Sequence, residues 1–391
     1  MAPFLLVALI AAVVTAAMSF VVLRLSRRYK LAPEVRARDV HKTPTPRLGG
    51  VAMFIGVVAA FGVASLQEDF QSMFAGSQQV WAVLGACLMI TIVGVLDDLY
   101  DLDWMIKLAV QLAAAGLLAW QGVQIVSLPV GNTLIIGSPI MNFVLTVFLM
   151  GLVMNAVNFV DGLDGLVAGV AIIANSVFFV YTRLLTEQAG KDDAVTLASL
   201  IAAVLVGICV GFLPFNWHRA RMFMGDTGAL LVGLLMATST VSVTGQLNPA
   251  SLDFNLVLAS YIPIILPMAV LALPLADFAL ALLRRLRAGK SPFTADRQHL
   301  HHRLLNMGHS PRQAVLIFYL GTAVVSAVCL LAFTMQSFTL PVIVLLGGGL
   351  LCVLVTLFPL QRLREATVQR DLLPLNRPAA PAGTPDERTP E

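Results

Sequence analysis

Charge is scarce in this chain. Only 12% of its 391 residues are Asp, Glu, Lys or Arg, about half of the ~25% found in an average soluble domain. So few charges cannot build a water-facing surface, which argues against two or three soluble domains of this combined length. Cysteine is also sparse: Cys87, Cys209, Cys329 and Cys352 lie inside apolar runs with no CxxC or metal-type spacing, and read as small packing residues rather than a disulfide framework or zinc site. A net charge of +3 and the lack of a long basic tract argue against nucleic acid as a partner. No internal repeat is apparent.

What the chain has in abundance is apolar length. Hydrophobic residues make up 58% of it, in long runs from Phe4 to Leu360 that carry almost no charge. A helix needs about 20 mainly apolar residues to cross a bilayer. By that measure eleven spans are expected, near 4–23, 48–66, 80–96, 108–121, 140–160, 164–183, 195–213, 229–245, 255–280, 313–334 and 339–359. The fold class is an all-α polytopic membrane protein. The first run has no basic residue before it and is followed by Arg24, Arg27, Arg28 and Lys30, the reverse of a cleaved signal peptide, so it reads as a retained helix with its N-terminus outside.

That start assigns alternate loops to opposite sides, and the positive-inside bias tests the assignment independently. Of 25 Lys and Arg residues, only Arg183 and Lys191 fall in loops placed outside; the other 23 lie in 24–47, 97–107, 218–221, 284–312 and the C-terminal tail. An odd number of spans puts the C-terminus in the cytoplasm. The membrane unit runs over 1–360, with a cytoplasmic arm at 284–312. Residues 361–391 form a cytoplasmic tail whose Pro-rich, polar end cannot bury apolar area and is expected to be disordered. The outer loop from Val123 to Ile136, with Pro129, Gly131 and Asn132, suits a small hairpin.

All six histidines and most of the acids fall on the inner face. In GVLDDLYDLD, Asp97 and Asp98 directly follow an apolar run, where carboxylates are ordinarily avoided. Asp97 and Asp101 share a face if the helix continues one more turn, and Lys107 lies just beyond; Asp103 fits a solvated loop. In NAVNFVDGLDGL, the residues Asn155, Asn158, Asp161 and Asp164 recur every three positions, which a single helix cap by Asp164 does not explain. In NWHRARMFMGDTGAL, Asp226 opens a helix whose N-terminal N–H groups suit an anion, with Asn216, Arg219, Arg221 and Phe223 in the same loop. The arm carries ADRQHLHHRLL, whose imidazoles at His299, His301 and His302 suit phosphate and sugar hydroxyls better than zinc. His218 and His309 read as structural. Acids on a face that also binds anions require a divalent cation, and aspartate with phosphate oxygens is a Mg²⁺ ligand set.

From HKTPTPRLGG at 41–50 to HLHH at 299–302, these segments resemble, in order, the polyprenyl-phosphate N-acetylhexosamine-1-phosphate transferase superfamily. The resemblance implies attack of a polyprenyl phosphate on the β-phosphorus of a UDP-sugar, giving a lipid diphosphate sugar and UMP with Mg²⁺, or Mn²⁺ in its place. It implies that Asp97 and Asp98 sit near the lipid phosphate, with Asp97 as base or positioning group, and that Asp226 is the principal metal ligand, joined by Asp97. It further implies that Asn158, Asp161 and Asp164 line the nucleotide site, that Phe223 stacks on uracil, and that Lys107 and Asn216 are polar contacts. His299, His301 and His302, with Arg285, would hold diphosphate and sugar. The interrupted HLHH and Arg47 in TPRLGG resemble the WecA/TagO-like branch, for which eleven spans and UDP-GlcNAc are implied, more than MraY, which acts on phospho-MurNAc-pentapeptide. The place of the resemblance is the inner plasma membrane with a cytoplasmic active site. A proton-coupled anion transporter is the rival from another class, with Pro263, Pro267 and Pro274 as kinks, but its polar groups would sit at mid-membrane. A CDP-alcohol phosphotransferase would need further spaced aspartates after Asp161 that are missing. The GxxxG at 165–169 fits either a homodimer face or packing within the chain.

Overall fold

The structure, a computed structural model, describes residues 1–29, 45–76, 78–130, 133–189, 193–244, 304, 307–335 and 337–358. Eleven α-helices lie among them: α1 (Ala2–Arg28), α2 (Gly49–Ser65), the short α3 (Gln71–Gly76), α4 (Gln79–Tyr100), α5 (Trp104–Trp120), α6 (Pro139–Val160), α7 (Leu166–Ala189), α8 (Asp193–Asn216), α9 (Gly225–Thr244), α10 (Pro311–Thr334) and α11 (Thr339–Leu357). Ten of the eleven expected apolar runs coincide with helices. The ninth, 255–280, lies outside the described residues, as do the histidines at 299–302, Arg285 and the tail. Among the described residues, eight helices are long and apolar enough to cross a membrane. A ninth span is present if α2 and the segment Glu68–Gly76, bent from it by 96°, count as one; α5, with 17 residues, is shorter.

Local chemistry sets the ends of several helices. Ser138 caps α6 by accepting from the Met141 N–H, and Ser310 and Gln313 form a reciprocal capping box at α10. The expected hairpin is present, with β1 (Ser127–Val130) antiparallel to β2 (Thr133–Ile136) and Val130 paired with Thr133. In GVLDDLYDLD, α4 ends at Tyr100. Asp101 takes a left-handed conformation (φ 56°) with its N–H on the Asp97 carbonyl, so Asp97 and Asp101 are not stacked on a continued helix as expected. Asp103 then caps α5, accepting from the Met105 N–H.

The bundle is built around α9, the most enclosed of the described spans, with 94% of its apolar window buried. It packs on α2, α4, α6 and α8, while α1 lies against α2 and α8. Close approach to α9 depends on lost side chains. A Cβ on Gly94 of α4 would strike the backbone of Thr227, and one on Gly50 of α2 would strike the Gly228 amide. At the other extreme, α11 packs on α10 and leaves most of its apolar surface outward, as a lipid-facing helix does.

Candidate active site

Five chain segments meet at one end of this bundle: α4 and α6 finish there, and α5, α7 and α9 begin. The acids are brought in by helix ends rather than by a long loop, so each backbone position is held by the packed core behind it. Asp97, in the last turn of α4, is buried and accepts from the Leu102 N–H through Oδ1 (2.9 Å) and from Lys107 Nζ through Oδ2 (3.1 Å). Lys107, in the first turn of α5, also donates to Asp226 Oδ2 (3.0 Å). The same Asp226 oxygen accepts from Asn158 Nδ2 at the end of α6 (3.2 Å). One ammonium thus joins two carboxylates of different helices, and α4, α5, α6 and α9 each supply one member of the cluster.

Asp98 holds a different post. Its Oδ1 accepts from the Asp226 N–H (3.0 Å), and its Oδ2 accepts from the Thr227 N–H (3.2 Å) and Thr227 Oγ1 (2.7 Å). It is therefore the N-terminal cap of α9, supplied from another helix. The N–H groups expected to receive a substrate anion are already bonded to this carboxylate. Gly225, just before Asp226, has φ 69°, and a Cβ there would meet Asp98 and the Arg47 carbonyl, so glycine is required.

The FMGD loop is pinned from its other side by the TPRLGG segment. The Phe223 N–H donates to the Pro46 carbonyl (2.8 Å), and the Gly49 and Gly50 N–H groups donate to the Phe223 (3.0 Å) and Met224 (2.9 Å) carbonyls. Arg47 is thereby carried to the acids, where it interacts electrostatically with Asp161. Asp161 follows the last residue of α6. Burial lifts its carboxyl to about 8; the charges of Asp226, Asp98 and Asp164 add to the rise, and Arg47 opposes it.

Asp164 and Asn216 serve the scaffold. Asp164 Oδ2 meets His218 Nδ1 (3.2 Å) and accepts from the Ala220 N–H (3.1 Å). Asn216, 2% exposed, accepts from the Gly165 N–H (3.0 Å) and donates to the Met222 carbonyl (3.1 Å). Together they tie the turn between α6 and α7 to the loop after α8, and Tyr319 of α10 donates to the Gly165 carbonyl (2.5 Å) behind it. Arg221 lies over the Phe215 ring and donates to the Pro214 carbonyl. The GxxxG glycines are used within the chain: a Cβ on Gly165 would meet Trp217, and one on Gly169 would meet Tyr319. His309 Nε2 lies 2.8 Å from the Thr356 carbonyl oxygen, a structural contact.

The carboxylates of Asp97 and Asp226 adjoin one another, and such a pair needs a positive charge between or beside it. Mg²⁺ takes one or two carboxylates and completes its shell with water and substrate phosphates, so Asp97 and Asp226 are the residues that could hold such an ion. Asp226, whose side chain is 28% exposed against 7% for Asp97, is the more accessible donor. Arg47, singled out in the sequence as part of TPRLGG but not as a site residue, stands beside Asp161, and Gln111, one turn after Lys107 and part of no motif, accepts from Asn155 behind the acids.

The glycosyl transferase family 4 pattern matches residues 80–244, from the start of α4 to the end of α9. A decaprenyl-phosphate N-acetylglucosaminephosphotransferase of Mycobacterium leprae is 38% identical over 365 residues, covering 92% of this chain and 91% of the relative. The chain belongs to glycosyl transferase family 4. Within the family it is also 33% identical to a probable undecaprenyl-phosphate N-acetylglucosaminyl 1-phosphate transferase of Bacillus subtilis, over 72% of each chain. An undecaprenyl-phosphate alpha-N-acetylglucosaminyl 1-phosphate transferase of Escherichia coli K12 is 28% identical over 79% of this chain and 78% of its own. The family match encloses every acid of the cluster.

Proposed function

We propose that this protein transfers GlcNAc-1-phosphate from UDP-GlcNAc to a membrane polyprenyl phosphate, giving polyprenyl-diphosphate-GlcNAc and UMP. The observation that carries this reading is the convergence of Asp97, Asp226, Lys107 and Asn158 from four helices, with Asp161 and Arg47 beside them. The relatives' names supply the polyprenyl phosphate and the N-acetylglucosamine.

The reaction forms a bond from a lipid-phosphate oxygen to the β-phosphorus and breaks the bond from that phosphorus to the oxygen bridging it to the α-phosphate, which leaves as UMP. A phosphate monoester is largely ionised at neutral pH, so the nucleophile needs placing more than deprotonating. Lys107 supplies a cation for one phosphate and Asp97 orients it. Asn158 and Asp161 face the nucleotide diphosphate with Arg47, and Phe223 stacks on uracil. Mg²⁺ or Mn²⁺ held by Asp226 and Asp97 would neutralise charge on the diphosphate and the departing UMP. Asp98 places Asp226 by capping its helix, while Asp164 and Asn216 hold the surrounding loops. His299, His301, His302 and Arg285 complete the sugar side in this proposal.

The topology that goes with it is eleven spans, N-terminus outside, C-terminus in the cytoplasm, and the acid cluster at the cytoplasmic face of the plasma membrane. Gathering of the polar groups at one end of the bundle favours a membrane-surface enzyme over a transporter, whose site would lie at mid-bilayer. The test is UMP release by purified protein given UDP-GlcNAc, polyprenyl phosphate and Mg²⁺, with UDP-GalNAc and UDP-MurNAc-pentapeptide as competitors. UMP formation with UDP-GlcNAc is expected; none from any UDP-sugar would sink the reading.

A further inference from the structure

Lys107 and Asn158 reach the same oxygen of Asp226, yet they stand on α5 and α6, and nothing in their own side chains sets how those helices lie along each other. α5 is only 17 residues long, and its principal neighbours are α4 and α6 rather than α9. The height of Lys107 opposite Asp226 is therefore inherited from the packing of α5 on those two helices. Apolar side chains facing each other in a membrane tolerate sliding, because one lipid-like contact replaces another.

One turn behind the site, a polar contact removes that freedom. Gln111, four residues after Lys107, and Asn155, three before Asn158, face each other because α5 runs away from the site while α6 runs toward it. Asn155 Nδ2 donates to Gln111 Oε1 at 2.6 Å and to the Gly151 carbonyl of its own helix at 2.8 Å. Gln111 is 2% exposed. A buried amide such as that of Gln111 is expensive to keep in an apolar bundle unless its bond to the half-buried Asn155 is made, and that bond has one axial setting, unlike the aliphatic pair that would pack there equally well.

We propose that Gln111 and Asn155 are positioning residues for the transfer reaction: their hydrogen bond locks the register of α5 on α6, so that Lys107 and Asn158 converge on Asp226. The lock acts through those two side chains and does not touch substrate. It rests on the transferase reading above for its kinetic readout.

The test is a double-mutant cycle on purified full-length protein, following UMP release and thermal unfolding in parallel. Gln111→Leu and Asn155→Leu should each lower kcat at least about tenfold, since a misplacement of about 1 Å at a reacting centre can cost about 100-fold. Melting temperature should move little, because interhelical hydrogen bonds in membranes are individually weak. The exchanged pair Gln111→Asn with Asn155→Gln, which keeps the bridge length, should recover most of the lost rate. The deciding arm is Lys107→Met. If the lock works through Lys107, adding Gln111→Leu to that variant costs little more. An equal loss in both backgrounds, or an unchanged kcat in the single variants, overturns the proposal. Absence of UMP from the wild type would instead overturn the transferase reading. In that event the lock is tested by carbene or cysteine cross-linking of position 107 to position 226, which should fall in Gln111→Leu and be unchanged if there is no lock.

Discussion

The carboxylate of Asp98 lies 2.7 Å from the hydroxyl of Thr227 and also accepts that residue's backbone N–H. The two belong to α4 and α9, and a Cβ on Gly94, one turn before Asp98, would strike the Thr227 backbone. One aspartate thus supplies the cap that the first turn of α9 lacks locally, and it does so where Asp226 must be aimed. Asp98→Asn keeps one acceptor and loses the other, so turnover should fall by roughly 100-fold, of the order seen when a preorganising group is lost. Thr227→Val, which removes one of the bonds, should show a smaller loss. Comparing UMP release and circular dichroism for both decides it; wild-type turnover in Asp98→Asn would contradict the cap's importance.

Asp226→Asn and Asp97→Asn should each lose most turnover while retaining helix content. They should differ in metal response. Asp226 is the more exposed carboxylate, so its loss should raise the Mg²⁺ concentration for half-maximal rate more than loss of Asp97. A Mg²⁺ titration of both variants checks this, and identical curves would remove the distinction.

Lys107 bridges Asp97 and Asp226 at 3.1 and 3.0 Å. Lys107→Met leaves two adjoining carboxylates without their ammonium, so metal-free protein should lose thermal stability and added Mg²⁺ should restore part of it. Melting curves with EDTA and with Mg²⁺ measure the effect; no difference between variant and wild type would count against the bridge.

Asp161 titrates near 8 in the folded chain because of burial and neighbouring carboxylates, against ~3.9 for an exposed aspartate. The folded state therefore holds a proton that the unfolded state has lost, so between about pH 4 and about pH 8 stability falls as pH rises. Ligand-free wild type should melt progressively lower from about pH 6 to about pH 8, and Asp161→Asn should flatten that slope. A slope unchanged by the substitution would assign it to another group.

Phe223 is fixed through its backbone on both sides, to Pro46 and to Gly49. Phe223→Ala should raise KM for the UDP-sugar several-fold and leave KM for the lipid nearly unchanged. Equal rises would reject stacking on uracil.

Composition and periodicity were enough for the membrane class, for ten helices that the described residues contain, for the small hairpin, and for the three acid-bearing segments among the described residues. Those features are local: an apolar run of sufficient length must become a helix in lipid whatever surrounds it. Which acid does what was not local. Asp97 and Asp98 are adjacent in the chain, yet successive residues on a helix point about 100° apart, so one faces Lys107 and the other caps α9. Asp164 stood out by its spacing and Asn216 by its place in the loop before Asp226, but that their side chains bond to the loops around the site was not legible in either. Gln111 carried no motif at all, because its meaning lies in Asn155, 44 residues away and on another helix. The chain's order of residues could specify helices and bring acids to one end of the bundle; only their packing, which sets rotation and register, could decide which side chains meet.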